Sequence, residues 1–206
     1  MEIINTLSNL AIHLIESWGY LGIFILMTLE GMNFIIPSEV VIPFSGYLAS
    51  RGSFDLLLVA LVASLGNLFG CLIIYALSYF YRERIFKFFS KIFFINKHHF
   101  ETAEKWFQKF GISSVFFIRL LPAVRNLISF PAGIFRMNFI LFSSLTFAGS
   151  FLWALFLGFI GYSFGENWDA LNPYIEHVGY LALIIVVIYV IWHLRQHFHK
   201  IKLRKK

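Results

Sequence analysis

The chain has 206 residues, of which 59% are apolar and 14% are charged, and its mean hydropathy is +0.75. Soluble domains average roughly 45–50% apolar and about 25% charged residues, so the composition excludes an ordinary water-soluble globule. The 26 Phe, 9 Tyr and 5 Trp residues carry more apolar surface than a domain of this length can bury against itself in water. The chain is therefore predicted to lie in a membrane, and the places of its 17 basic and 11 acidic residues become informative.

Residues 1–17 predict an amphipathic helix. Apolar residues recur there at helical spacing, with polar residues between them. The segment contains no Lys or Arg, so it lacks the basic start of a secretory signal peptide and is expected to remain in the mature chain. Such a helix is suited to lying on a membrane surface.

Three segments without a charged residue are long enough to cross the hydrocarbon core, which takes about 20 apolar residues in a helix. They are Leu56 to Phe80, Phe139 to Phe164 and Val178 to Leu194. Asp55 stands just before the first segment and is expected to cap its N-terminus. Cys71 is the one cysteine of the chain and is expected to be packing material. Trp153 is expected to pack within its span or to lie in the aromatic belt at the interface.

Two other apolar stretches are interrupted by charged residues and prolines. Tyr20 to Leu48 contains Glu30, Pro37, Glu39 and Pro43, whereas Ile112 to Ile134 contains Arg119, Pro122, Arg125 and Pro131. Broken backbone at membrane depth is tolerated only where protein or a watery cavity covers it, so each stretch predicts a re-entrant hairpin. A charge at the bilayer centre costs at least about 2.5–3.5 kcal/mol on insertion scales, which makes these four charges candidates for function.

The charges between the apolar segments predict the topology. Residues 81–111 carry seven Lys or Arg against three Glu, residues 195–206 carry six Lys or Arg and no acid, and residues 165–177 carry three acids and no Lys or Arg. By the positive-inside rule the first two regions, including the C-terminus, are cytoplasmic and the third is outside. Residues 1–194 then form one membrane domain, followed by a basic tail at 195–206.

The two halves of this domain share a pattern of glycines and prolines. Gly66 and Gly149, Pro37 and Pro122, and Gly46 and Gly133 are separated by 83–87 residues. Repeat 1 covers about 1–81 and repeat 2 about 82–165, and the repeats are inverted because their spans run in opposite directions. The predicted fold is an all-α membrane protein in which each repeat has an amphipathic helix, a re-entrant hairpin and a transmembrane helix, with a further span at 178–194. The residues expected to shape the hairpins are Pro37, Pro43, Gly46, Pro122, Pro131 and Gly133.

Three sequence segments resemble a known family. GYLGIFILMTLEGMNFIIPSEVVIPFSGYLA, FFIRLLPAVRNLISFPAGIFRMNFILF and GSFLWALFLGFIGYSFGENW are similar to the DedA family of membrane proteins, whose shared region is also called the SNARE-associated or VTT domain. The pattern F-x-R-x-x-P-x-x-R followed by an x-A-G turn is the most specific part of the likeness. The resemblance implies a multi-spanning lipid transporter or scramblase that moves undecaprenyl phosphate or phosphatidylethanolamine, often with dependence on the proton motive force.

Carried onto this sequence, the resemblance makes Glu30 and Glu39 the family's membrane-embedded acids and Arg119 and Arg125 its two arginines. Asn126 departs from the family pattern, in which Thr often follows the second arginine. This departure affects which substrate the resemblance implies more than whether the resemblance implies a transporter.

The four charges have a functional and a structural interpretation. A guanidinium matches a phosphate in a bidentate way and stays charged at low dielectric, so Arg119 and Arg125 are predicted to bind the substrate's phosphate. Glu30 and Glu39 are predicted to couple transport to protons, since acids inside membrane proteins serve in proton relays. In the structural interpretation, an arginine pairs with Glu30 or Glu39 only to fasten the hairpins together. Both can hold if the pair exists in the empty state and a phosphate replaces it in the loaded state.

The leading hypothesis is a transporter that moves a phospholipid or a polyprenyl phosphate, with membrane lipids and protons as its partners. One alternative is a proton-dependent exporter of ions or drugs. Another is an enzyme acting on lipid phosphates, which is less favoured because no histidine lies between His13 and His98 or between His99 and His177, and no D-x-x-D motif is present. Arg51 and Arg136 are expected to anchor the chain at the interface. No cofactor, metal or nucleic acid is expected, and a homo-oligomer is left open.

Overall fold

The computed structural model describes residues 2–34, 36, 38–83, 107, 111, 115, 116, 119 and 125–164, with the backbone alone for residues 2–9. The predicted span at 178–194, the basic tail, most of the basic loop, Pro37 and Pro122 lie outside these residues. All regular structure in the described part of the chain is helical and belongs to one compact unit, Met1–Trp168. The predicted all-α class is confirmed for that part.

Six helices are described over their whole length. They are α1 (Glu2–Trp18), α2 (Tyr20–Gly31), α3 (Ser38–Ser50), α4 (Leu56–Phe80), α5 (Ser129–Ile134) and α6 (Phe139–Ser163). Helices α4 and α6 have 25 residues each and are long and apolar enough to cross a membrane. They confirm the first two predicted segments as helices of spanning length, although α6 ends one residue before the predicted Phe164. Phe107, Gly111, Val115 and Arg119 also have helical backbone, and their spacing places them on one helical face.

Helix α1 confirms the predicted amphipathic helix, and the apolar side chains near its C-terminal end are covered by protein. Ala11 and Ile15 are fully buried in a cluster with Ile23 of α2 and Val41 of α3. The polar side of α1 is exposed at His13. Burial of these apolar side chains is what holds the helix against its neighbours.

The two long helices begin with the same kind of cap. The Asp55 carboxylate accepts a hydrogen bond of 2.8 Å from the Leu58 backbone N–H, which confirms the predicted cap. The Asn138 side chain likewise accepts from the Leu141 N–H at 3.0 Å. Each cap satisfies a backbone donor that has no partner inside its own helix.

The break in the first apolar stretch falls at residues 32–37, between α2 and α3. Pro43 does not interrupt the chain there, because it lies inside the continuous helix α3. Pro131 occupies the third position of α5, where an N–H is not needed for the helical ladder. The prolines are thus placed within helices rather than at the break in the part of the chain that the structure describes.

Helices α3 and α6 touch through their backbones. A Cβ atom added at Gly46 would overlap the backbone of Gly158, and one added at Gly161 would overlap the backbone of Pro43. Small residues allow such close approach, which packing between helices in a membrane requires.

Gly161→Ala is expected to destabilise the protein by about 1–3 kcal/mol, since its methyl group meets rigid backbone. Gly158→Ala is the matched control from the same helix, because its Cβ would meet side chains alone, the Cδ1 tip of Leu56 at 3.0 Å and Ile42 Cγ2 at 3.8 Å, and the Leu56 tip can move. Thermal unfolding of the purified variants in detergent checks the difference. Equal midpoints for the two variants would show that the α3–α6 contact does not limit stability.

A polar layer divides the interior into two apolar clusters. The start of α4 and the end of α6 share one cluster, and the end of α4 and the start of α6 share the other, so the two helices run in opposite directions. Between the clusters lie Asn67 and Ser150, each the twelfth residue of its 25-residue helix. Their side chains are buried, whereas Leu65 and Phe69 of α4 and Leu152 and Phe156 of α6 are exposed on the outer faces. The interior is therefore polar at the midpoint of both candidate spans.

Candidate functional site

The end of α2 fixes Glu30 at the polar layer. The Asn33 N–H donates to the Glu30 carbonyl at 2.8 Å and the Phe34 N–H donates to the Leu29 carbonyl at 3.1 Å, which is the bonding of a Schellman turn. Asn33 has a φ of +66°, the left-handed conformation that this turn requires. Glu30 is therefore held in the last turn of a helix, and it is only 8% exposed.

Glu30 forms a buried ion pair with Arg125. Its Oε1 atom accepts from Arg125 Nη2 at 2.7 Å and from Arg125 Nε at 3.2 Å. Its Oε2 atom accepts from Asn67 Nδ2 at 2.6 Å. The pair predicted by the structural interpretation is thus present, between α2 and the segment that precedes α5.

Neutral polar side chains connect the ion pair to the two long helices. Asn126 donates from Nδ2 to the Glu30 carbonyl at 3.1 Å, and its Oδ1 accepts from Asn67 Nδ2 at 3.2 Å. The Ser150 hydroxyl donates to Asn67 Oδ1 at 2.8 Å. Asn67 therefore joins α2, α4 and α6 at one point.

Arg119 contacts the same asparagines, Asn67 and Asn126, and is 1% exposed. Its Nη1 atom is 3.1 Å from Cys71 Sγ, 3.4 Å from Asn126 Oδ1 and 3.5 Å from Asn67 Oδ1, and its Nη2 atom donates to Ser129 Oγ at 3.3 Å. All four acceptors are neutral, and no carboxylate pairs with Arg119 among the described residues. Cys71 is fully buried in an apolar cluster, as expected of packing material, and its thiol also contacts the Arg119 guanidinium.

Helix α6 supplies an aromatic ring beneath each arginine. The guanidinium carbon of Arg119 is 5.6 Å from the ring centroid of Phe142, and that of Arg125 is 5.3 Å from the ring centroid of Trp153. Gly149 lies between the two rings, and a Cβ atom there would be 2.8 Å from the Arg119 Cβ. Trp153 is half-buried and packs against the apolar cluster that contains Ala11 and Ile15, which confirms the expected packing role, and its ring also contacts Arg125.

The described layer carries an excess of positive charge. Glu30 contributes one negative charge and Arg119 and Arg125 contribute two positive ones, all three side chains being buried. A buried charge without a counter-ion is unfavourable, and a buried pair is stable only when its remaining hydrogen bonds are satisfied. The described part of the layer thus carries one more positive than negative side chain.

Not every predicted site residue belongs to this layer. Glu39 is half-buried in the first turn of α3 and accepts a hydrogen bond of 3.2 Å from Ser38 Oγ; no arginine contact is described for it. A carboxylate there is favoured by the helix dipole. Arg51 and Arg136 are exposed, each with its guanidinium over a tyrosine ring, at 5.9 and 5.3 Å respectively. Across the described ranges, no group of three or more His, Cys, Asp and Glu residues could hold a metal ion.

Asn67→Leu is expected to destabilise the protein even though Leu is the more apolar residue. The change leaves Glu30 Oε2 and the Ser150 hydroxyl without their described partners, at about 1–3 kcal/mol for each orphaned group. Asn138→Leu, the matched control, removes only an exposed cap, which is worth about 1 kcal/mol. Thermal unfolding of both variants in detergent checks the order. If the unfolding midpoint of Asn67→Leu is at or above that of Asn138→Leu, Asn67 does not stabilise the junction of α2, α4 and α6.

Taken with the helices, the site defines the class of protein. Two apolar helices of membrane-spanning length enclose buried charges at their midpoints, which is the construction of an integral membrane protein with an internal polar site.

Known proteins with similar sequences specify the class further. The VTT domain model matches residues 36–163. The chain is 31% identical over 194 residues to "Undecaprenyl phosphate transporter A" of Bacillus subtilis (strain 168), with 92% of each chain covered. It is 30% identical over 191 residues to "Alkaline phosphatase-like protein" of Lactococcus lactis subsp. lactis (strain IL1403), with 90% of this chain and 88% of the relative covered. It is 26% identical over 209 residues to "Protein DedA" of Escherichia coli (strain K12), with 94% of each chain covered. No solved structure matches the chain significantly.

The chain belongs to the VTT-domain family of membrane proteins, the DedA family that the sequence resembles. The matched region includes Arg119, Arg125, Asn67 and Ser150, while Glu30 lies just before it.

Proposed function

We propose that this protein transports lipids with a phosphate head group across the bacterial cytoplasmic membrane. The observation that carries the proposal is the buried Arg119, which has only neutral partners among the described residues, beside an Arg125 that is paired with Glu30. An anionic head group entering the layer supplies a counter-ion to Arg119, which has none among the described residues. The planar guanidinium donates two parallel hydrogen bonds to phosphate oxygens and remains charged at low dielectric.

A polyprenyl phosphate is the preferred substrate, and phosphatidylethanolamine is the second candidate. Relatives in Bacillus subtilis and Staphylococcus aureus are named "Undecaprenyl phosphate transporter A", at 31% and 32% identity. A phosphate monoester carries up to two negative charges and three terminal oxygens, which suits two arginines. A phospholipid diester carries one negative charge and fits the layer less fully.

The transport path in this proposal lies between two inverted repeats. Helices α4 and α6 have equal length and opposite direction, and 83 residues separate their capping residues Asp55 and Asn138. The same offset separates Asn67 and Ser150, which are hydrogen-bonded to each other at 2.8 Å. Such symmetry supports alternating access, in which the layer opens first to one side and then to the other. The acyl or prenyl chain stays in the bilayer beside the exposed apolar faces of α4 and α6.

Symmetry is also supported by the packing of the short helices. Gly46 of α3 approaches the backbone of Gly158 in α6, and Gly133 of α5 approaches the backbone of Tyr75 in α4. The two glycines are equivalent in the predicted repeats, and 83 residues separate Tyr75 from Gly158. In the proposed scheme, α2 with α3 and the Arg119 segment with α5 act as the two re-entrant hairpins.

We also propose that Glu30 takes part in proton coupling. When phosphate takes Arg125, Glu30 stands in a buried layer without its cation, and acids inside membrane proteins serve in proton relays. Glu39 is the second proposed proton site, in the first turn of α3.

The competing function is hydrolysis of lipid phosphates, which the name "Alkaline phosphatase-like protein" of two Lactococcus lactis relatives raises. The same cationic layer would bind the same substrates. The two functions differ in their products, since a transporter leaves the phosphate on the lipid and a phosphatase releases inorganic phosphate.

The experiment is reconstitution of the full chain in liposomes that contain labelled undecaprenyl phosphate in one set and labelled phosphatidylethanolamine in another. The proposal predicts movement of intact labelled lipid between leaflets, faster for the polyprenyl phosphate and slower when the proton gradient is collapsed. Release of inorganic phosphate without leaflet exchange would establish the enzyme instead. Proton-linked movement of ions or drugs without lipid exchange would favour the exporter. Lipid exchange at the same rate with and without the proton gradient would show that the protein is an uncoupled scramblase. Glu30 and Glu39 would then have no role in proton coupling.

A further inference from the structure

Three nitrogen donors at the site are buried and have no hydrogen-bond acceptor among the described residues. They are Asn33 Nδ2, Arg119 Nε and Trp153 Nε1. Only two other buried side-chain atoms in the described part of the chain share this state, and both are hydroxyl oxygens, of Ser78 and Thr146. A buried donor that makes no bond is unfavourable, so each such group in a folded protein requires an explanation.

Asn33 and Trp153 each contact one member of the same ion pair, Asn33 through its backbone and Trp153 through its ring. Asn33 is bonded through its backbone N–H to the carbonyl of Glu30, at 2.8 Å. Trp153 has its ring 5.3 Å from the guanidinium carbon of Arg125. The two residues thus reach the Glu30–Arg125 pair from α2 and from α6.

The chemistry of these groups specifies what would satisfy them. The indole Nε1 and the amide Nδ2 can only donate, so they need a ligand rich in acceptor oxygens. A phosphate group has such oxygens on every side and no obligatory donor of its own when ionised. A head group that displaces Glu30 from Arg125 would therefore meet Trp153 beside the cation, and Asn33 carries a second unpaired donor in the turn that follows Glu30.

Asn33 combines a left-handed turn, which asparagine adopts readily, with a buried side-chain donor. At a φ of +66°, glycine is the residue that a Schellman turn accepts most readily. Asparagine adds a buried amide nitrogen that has no described partner. The turn alone would be served as well by Gly.

We propose that Asn33 Nδ2 and Trp153 Nε1 are substrate-binding donors that contact the phosphate oxygens of the transported lipid beside Arg125. This inference rests on the proposed transport of lipid phosphates and assigns two binding residues to it. The two donors hold the head group in place after Glu30 has released Arg125. They also select an acceptor-rich head group over one that must donate hydrogen bonds.

Two substitutions remove the donors and keep the surrounding structure. Asn33→Gly retains the left-handed turn and removes Nδ2, and Trp153→Phe retains an aromatic ring under Arg125 and removes Nε1–H. Each is expected to raise the KM for undecaprenyl phosphate roughly tenfold in liposomes containing the full chain, with a smaller change in maximal rate. Ser78→Ala is the matched control, because it removes another buried, unpaired polar atom at a place away from the ion pair.

The outcomes separate this inference from the function on which it rests. Saturable transport by wild type and Ser78→Ala, with KM raised in both site variants, supports it. A wild-type KM in Asn33→Gly and Trp153→Phe would overturn it, since it would show that Asn33 serves only the turn and Trp153 only as a ring, while leaving the transport function in place. No saturable lipid transport by the wild type would overturn the function itself, and this assignment with it.

Discussion

Arg125→Ala is expected to abolish lipid-phosphate transport and to destabilise the protein by about 3–5 kcal/mol. The stability loss arises because Glu30 stays buried while it loses its counter-ion and both hydrogen bonds to its Oε1 atom. The loss of transport arises because the variant lacks the guanidinium that would bind the phosphate of the substrate. Thermal unfolding in detergent and lipid exchange in liposomes measure the two effects.

The double variant Glu30→Gln, Arg125→Gln separates these effects. It removes both charges together, so the unfavourable unpaired carboxylate is absent and most of the stability is expected to return. Transport is expected to remain lost, because the phosphate still lacks its cation. Wild-type transport by the double variant would show that the pair only fastens α2 to the segment before α5.

Arg119→Met is expected to abolish transport without the stability loss of Arg125→Ala. The Met side chain keeps apolar contact next to Gly149 and Phe142, while the uncompensated buried charge is removed. Asn126 Oδ1 and Asn67 Oδ1 keep other donors after the change, from Asn67 and Ser150 respectively. The unfolding midpoint should therefore stay near or above that of the wild type, whereas transport should fall by roughly 100-fold or more.

Arg51→Met is the control for Arg119→Met, since it removes an exposed cation that contacts only a tyrosine ring in the described structure. It should leave both measurements near wild type. A strongly destabilised Arg119→Met protein would mean that Arg119 has a stabilising counter-charge, contrary to the charge excess proposed for the layer. A stable variant with full transport would remove Arg119 from the substrate site.

The helices and the charged residues were predictable from the sequence because both depend on strong local signals. Spans without charge, such as Leu56 to Phe80, follow from hydropathy, and Asp55 before the span predicts the cap that is observed. Glu30, Arg119 and Arg125 stand out because a charge in an apolar segment is costly. The structure confirms one partnership that the sequence allowed, between Glu30 and Arg125.

The neutral part of the site could not be predicted from one sequence. Asn67 and Ser150 are single polar residues in apolar helices, and nothing in their spacing tells which face of the helix meets Glu30. The contact between Trp153 and Arg125 could not be predicted, because the two residues are 28 positions apart and no local pattern links them. The offset of 83 residues, already noted for Gly66 and Gly149, was a usable signal for Asn67 and Ser150, because these residues follow the two glycines directly.

Glu39 shows the limit of treating all intramembrane charges alike. It shares the first apolar stretch with Glu30, yet the two carboxylates have different surroundings, since Glu39 begins a helix and Glu30 ends one. The helix dipole stabilises a carboxylate at the first place and not at the second. Glu30 depends instead on Arg125 and Asn67, which join it from other segments.

The central claim is that the buried arginines bind the phosphate of a lipid. Equilibrium binding of undecaprenyl phosphate to the purified full-length protein, compared between wild type and folded Arg119→Met, tests it most directly. The account predicts saturable binding by the wild type and a loss of affinity of roughly 100-fold or more in the variant. Equal affinity in the two proteins, or no saturable binding by the wild type, would contradict it.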